Sequence, residues 1–217
     1  MKKLLLASII AASCTSAFAD NTVSWANWST LSNGVMQQGN NTITVSYIGE
    51  NLGIDHNAYI YDVPSSFTNA QVTNTPGTNG TILMQGGGAN RVNTFRFSQA
   101  VTNPYLDVFS VGQNGVPVSF EFQNGATFSI LAQGAGHWAG GSLTQTSPSS
   151  FVGREGNGLL QFHGTFTEIS FITPNYEYYY GATVGIATAV PEPETYALML
   201  AGLGALALVA RRRKQAA

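Results

Sequence analysis

The chain has 217 residues, 44% of them hydrophobic, with 24 glycines and a net charge of −2; that gives room for one ordinary domain with flanking signals and is too apolar for a disordered chain. Six of the nine basic residues sit at the two ends, while between Asp20 and Ala189 only Arg91, Arg96 and Arg154 offset nine acids, leaving that stretch at −6. A lysine-free, acidic body repels phosphate backbones, which argues against nucleic acid and for a neutral or cationic partner.

The amino terminus reads MKKLLLASIIAASCTSAFAD. Lys2 and Lys3 precede an apolar run from Leu4 to Ala12, and Ala17-Phe18-Ala19 supplies the small–x–small pattern of a signal-peptidase site. Residues 1–19 therefore read as a secretory signal peptide cut after Ala19. The single cysteine, Cys14, lies inside it. A lipoprotein reading with Cys14 acylated competes, but Ala-Ala-Ser precedes the cysteine where a larger aliphatic residue is usual. Cleavage after Ala19 leaves a mature protein that enters an oxidising compartment with no disulfide to form.

The body, residues 20–189, is long enough for one well-buried core. In SWANW the spacing of three places Trp25 and Trp28 on opposite faces of a regular strand, so at most one would be buried there. In TITVSYI, Ile43, Val45 and Tyr47 alternate with Thr44 and Ser46; TFRFS sets Phe95 and Phe97 about Arg96; VSFEF alternates Val118, Phe120 and Phe122 with Ser119 and Glu121. A period of two with β-branched and aromatic residues predicts half-buried antiparallel strands. Further strands are expected at Tyr59–Val63, Thr81–Met84, Tyr105–Val111, Thr127–Leu131, Leu159–His163, Phe166–Ile172 and Tyr179–Ile186. Turn residues separate them at GQNG (112–115), QNG (123–125) and REGNG (154–158), and no amphipathic helix of useful length intervenes. The pattern predicts an all-β fold, an antiparallel β-sandwich of jelly-roll type.

Chemistry-bearing residues are sparse. ENLGIDHN gathers Glu50, Asp55, His56 and Asn57, either oxygen ligands for a structural calcium or an ordinary polar hairpin; no other cofactor is expected. QGGGAN (85–90) lacks the lysine and hydroxyl of a phosphate loop and reads as a flexible strand connection. His56, His137 and His163 have no metal spacing, and the common hydrolase, zinc and calcium signatures are absent. Glu121, Glu155, Glu168 and Glu177 are available for a carboxylate pair, although Glu121 reads as solvated or paired with an arginine such as Arg96. Trp138, in the glycine-flanked GAGHWAGG, is expected in an exposed loop, and with Tyr178 and Tyr180 it is a candidate platform for stacking sugar rings.

The carboxyl-terminal 28 residues read VPEPETYALMLAGLGALALVARRRKQAA. Residues 195–210 carry no formal charge, a short but sufficient transmembrane helix. Arg211, Arg212, Arg213 and Lys214 act as a membrane stop that keeps residues 211–217 cytoplasmic and Val190 outside, on the side to which the signal peptide sends the body. Hydropathy does not account for Val190-Pro191-Glu192-Pro193-Glu194 ahead of the helix. Prolines and acids suit a helix start, yet the three-part tail, residues 190–217, resembles the PEP-CTERM sorting signal of Gram-negative envelope proteins. The resemblance implies export, transient anchoring in the inner membrane, processing near Pro-Glu-Pro by the membrane transpeptidase-like enzyme exosortase, and residence at the outer surface or in an exopolysaccharide matrix. A longer stretch, from about Thr81 to Gly185, with VNTFRFSQAVTNPYLDVFSVG and EGNGLLQFHGTFTEISFITPNYEYYYGATVG, is similar to a domain recurring among such proteins. It implies a β-sandwich and no particular reaction. Two functions follow as expectations: a non-catalytic envelope or matrix protein that associates with exopolysaccharide, or a secreted hydrolase acting on a polysaccharide.

Overall fold

In the computed structural model, residues 22–88, 91–188 and 201–204 are described. Fifteen strands among them form two packed antiparallel sheets. In chain order they are β1 (Val23–Trp25), β2 (Asn27–Thr30), β3 (Asn33–Gln38), β4 (Asn41–Ile48), β5 (Gly53–Asp55), β6 (Thr81–Met84), β7 (Asn93–Thr102) and β8 (Tyr105–Val111). The remainder are β9 (Val118–Phe122), β10 (Phe128–Gly134), β11 (Leu143–Ser147), β12 (Ser150–Gly153), β13 (Gly156–Phe162), β14 (Thr165–Ile172) and β15 (Tyr180–Ala187). The seven-stranded sheet runs β10-β13-β8-β15-β6-β5, with β1 also pairing with β15; the eight-stranded sheet runs β11-β12-β9-β14-β7-β4-β3-β2. Their central quartets, β13-β8-β15-β6 and β12-β9-β14-β7, have the crossed double Greek-key order of a jelly roll.

The inner faces meet in an aromatic core. Phe120 stacks on Phe151 and Phe171 at ring-centroid distances of 5.0 Å each, and Tyr180 closes edge-on against it at 5.5 Å. Offset and edge-to-face pairs of this kind add to the burial energy of the rings. On the eight-stranded sheet the outer face is solvent-exposed. In β4 buried Ile43, Val45 and Tyr47 alternate with more exposed neighbours, as do Phe95 and Phe97 in β7.

The seven-stranded sheet differs, because residues 56–80 lie across its outer face. Ile60, Tyr61 and Phe67 of this strap pack on Phe109 of β8, and Val72 joins Trp25, Tyr105 and Leu159. Every residue of β8 is consequently buried. The strap also corrects the strand expected at Tyr59–Val63, which is a 3₁₀ turn at Ala58–Tyr61 followed by another at Pro64–Ser66. Pro64 favours this outcome, since it fixes its own φ and cannot donate to a ladder.

Trp25 and Trp28 are both buried, against expectation. The segment is not one strand. β1 pairs with β15 in one sheet, the chain crosses at Ala26, and β2 pairs with β3 in the other. The crossing turns Trp28 into the inter-sheet core, where its indole N–H donates to Thr183 Oγ1 at 3.0 Å.

Candidate functional site

Antiparallel order sends the connections that follow even-numbered strands to one end of the sandwich. Among the described residues that meet there are 49–52, 85–88, 91–92, 112–117, 135–142, 154–155 and 173–179. They are tied together by their backbones. Gly87 N–H donates to Thr173 O at 3.0 Å, Glu177 N–H to Gln85 O at 2.8 Å, Glu155 N–H to Gly112 O at 2.9 Å and Gly141 N–H to Glu155 O at 3.2 Å.

Trp138 stands in this end, as its glycine-rich flanks predict, but it is braced rather than loose. Tyr59 of the strap, Phe109 of β8 and Tyr179 lie around its ring at 5.7, 5.3 and 5.5 Å. It still keeps 44% of its surface in solvent, enough to offer part of an aromatic face. His137 alongside reaches Asp62 of the strap through Nδ1 at 2.6 Å. Tyr59 donates to Asp55 Oδ2 at 2.8 Å, and burial, followed by that bond, pushes its hydroxyl up to about 12. Loop and strap are thus clasped by the His137–Asp62 contact and by the edge-on packing of Tyr59 against Trp138.

The tyrosine run divides. Tyr178 is 72% exposed and Tyr176 60%, whereas Tyr180 is fully buried against Phe120. Tyr180 is therefore no sugar contact. It begins β15, where its register opposite Met84 turns it into the sheet interface.

Two acids that sequence spacing did not bring together, Glu155 and Glu177, lie at this same end. Ser110 Oγ donates to a Glu155 carboxylate oxygen, and Asn157 Oδ1 accepts from the Ser110 N–H at 2.9 Å. Ser110 and Glu155 have φ of +53° and +62°, left-handed backbone that costs a non-glycine residue roughly 1–2 kcal/mol. The register slips between Gly156 and Gly158 where β13 meets β8, a bulge that carries this strain. Glu177 is buried, with one carboxylate oxygen unpartnered among the described residues. Burial first, then the Glu155 charge, push its carboxyl up to about 7, while the N–H groups of Gly112 and Tyr179 pull it back. The other two candidate carboxylates stand apart. Glu168 pairs with Arg96 at 3.1 Å on the open face, a role expected of Glu121, which instead accepts from Ser119 Oγ at 3.2 Å.

The weak metal candidates separate as well. Glu50 precedes strand β5 and Asp55 ends it, so ENLGIDHN is not a single loop. Glu50 Oε1 accepts the N–H groups of Gln85 and Gly86 at 2.7 and 2.8 Å, and Asp55 accepts from Asn57 and Tyr59. Among the described residues no three His, Cys, Asp or Glu side chains gather as a metal site.

QGGGAN connects β6 to β7, a strand connection as expected. Its residues 85–88 also line a groove of about 320 Å3, together with Glu50, Asn51, Leu52 and Arg91, which sequence reasoning missed. Gly87 has a φ of +82°, and a Cβ on it would come within 3.0 Å of Tyr176. The glycine lets Tyr176 lie against the loop.

Residues 189–214 match the PEP-CTERM protein-sorting motif. The PEP-CTERM motif implies an exported, membrane-anchored precursor that an exosortase processes. No curated protein and no solved structure matches the chain. Val190 to Glu194, Arg211 to Lys214, Ala17, Ala19 and Cys14 lie outside the described residues, as does the expected membrane helix apart from helical Ala201–Gly204. Among the described residues, no helix is long and apolar enough to cross a membrane.

Proposed function

We propose that the protein is an exported envelope or matrix component whose jelly-roll body binds neutral extracellular polysaccharide without catalysis. The observation that carries this reading is the half-exposed, rigidly braced Trp138 on the same end as exposed Tyr176 and Tyr178. Aromatic faces held in place lose little entropy when a pyranose stacks on them, and the excess of acids in the body disfavours an anionic ligand. The protein purified in detergent should be retained on the producing cell's own polysaccharide, and Trp138→Ala should release it. Absence of retention on that material would sink the reading. Replacing Pro191, Glu192 and Pro193 with alanine should preserve the mass of the unprocessed chain in cells, because the exosortase recognition element is lost.

A second reading, polysaccharide hydrolysis, is favoured by Glu155 and Glu177. A carboxyl raised to about 7, with a second carboxylate at the same end of the sandwich, has the character of the general acid that glycoside cleavage uses. Reducing ends released from the same polysaccharide, and abolished by Glu177→Gln, would establish it; no release by the native protein would remove it.

A further inference from the structure

We propose that the groove between Glu50 and Arg91 is a binding subsite for one neutral pyranose unit of a polysaccharide chain. This rests on the polysaccharide reading above and names a contact apart from Trp138.

The groove holds about 320 Å3, within the range of small-molecule sites and large enough for one sugar ring with a few waters. Its chemistry is paired. Glu50 is half-buried, and Oε1 is fixed by the Gln85 and Gly86 N–H groups. That leaves Oε2 as an oriented acceptor to which no described residue donates. Arg91, which also lines the groove, is exposed and, among the described residues, enters no ion pair; Arg96, by comparison, is occupied by Glu168. An acceptor and a forked donor lining one groove fit the adjacent hydroxyls of a pyranose, each of which can accept one hydrogen bond and donate another. The Asn51 and Gln85 side chains supply further amide donors and acceptors.

The rim is apolar. Leu52 is 50% exposed, and Tyr176, set against Gly87, is 60% exposed. A sugar ring has the same two-sided character, with C–H groups on its faces and hydroxyls at its edge.

Alternative ligands fit less well. An anionic sugar or phosphate would meet the Glu50 carboxylate as a like charge, inside a body that already carries an excess of acids. The N–H groups that make glycine loops into phosphate cradles are, at Gln85 and Gly86, already given to Glu50. A cation would find only one carboxylate, with one oxygen committed.

The test uses the detergent-purified full chain and the producing cell's polysaccharide, separated into neutral and acidic pools and immobilised for affinity measurement. The native protein should bind the neutral pool. Glu50→Gln keeps an oxygen to accept the two N–H groups but replaces Oε2 with an amide, and Arg91→Ala removes a surface side chain. Each should weaken binding at least tenfold, with an unchanged circular dichroism spectrum and melting temperature. Tyr176→Ala should weaken it by a smaller factor. If both polar variants bind like the native protein while Trp138→Ala does not, the groove is not the subsite although the polysaccharide reading stands. If the native protein binds neither pool, both fall. Preferential binding to the acidic pool, lost in Arg91→Ala, would overturn the neutral-sugar assignment.

Discussion

The two sheets of this sandwich treat their outer faces oppositely. The eight-stranded sheet leaves its face to water and satisfies it with Ser, Thr, Gln and the Arg96–Glu168 pair. The seven-stranded sheet hides its face under the 56–80 strap, and with it Asp107 of β8, which is 1% exposed and has, among the described residues, no partner for either carboxylate oxygen. The open face is regular and chemically quiet. The covered one stores strain, orphaned acids and clasped aromatics, and it adjoins the loop end where binding is proposed.

The largest effect is expected in the strap. Phe67 is fully buried, so Phe67→Ala should cost about 3–5 kcal/mol in chemical denaturation. A loss under about 1 kcal/mol would mean that the strap is an accessory and not part of the fold's core.

Asp107 should act in the other direction. Burial raises its carboxyl well above the usual carboxylate range, so the native state keeps a proton that the unfolded chain releases. Stability from this group is full below the unfolded carboxylate range near 3.8 and is lost as pH rises toward the native value. Asp107→Leu removes the orphaned group and should stabilise the protein by about 1–3 kcal/mol at neutral pH, with a smaller gain in acid. A destabilised variant at neutral pH would show that the carboxylate is satisfied after all.

Glu177 sharpens the same contrast more mildly. Its contribution should be full below about 4.5 and lost as pH rises through about 7, and Glu177→Gln should flatten the stability profile across that interval. Smallest is the open face: Arg96→Ala should change stability by no more than about 1 kcal/mol, because both partners are substantially exposed.

The same contrast governs what was legible in the sequence. Strands with one wet face announce themselves, as in the alternation of TITVSYI, TFRFS and VSFEF. Tyr105–Val111 could be found by its aromatic and β-branched content, but not the depth of its burial, because the covering strap comes from a distant stretch of chain. Short strands such as β3, β11 and β12 are polar or glycine-bearing and lack a periodic signal; they exist because neighbours pair with them. Trp138 was visible as an aromatic among glycines. The Glu155–Glu177 proximity and the Glu50–Arg91 groove were not, since each joins segments that only the jelly-roll topology brings to one end. The sorting signal was legible throughout, being a linear motif that needs no fold.

The most direct measurement is amide hydrogen exchange of the full chain with and without the neutral polysaccharide. Exchange should slow in residues 85–88, 135–142 and 173–179, with no change in β3, β4 and β7 on the open sheet. Protection spread over the open sheet, with none at the loop end, would contradict the proposed binding.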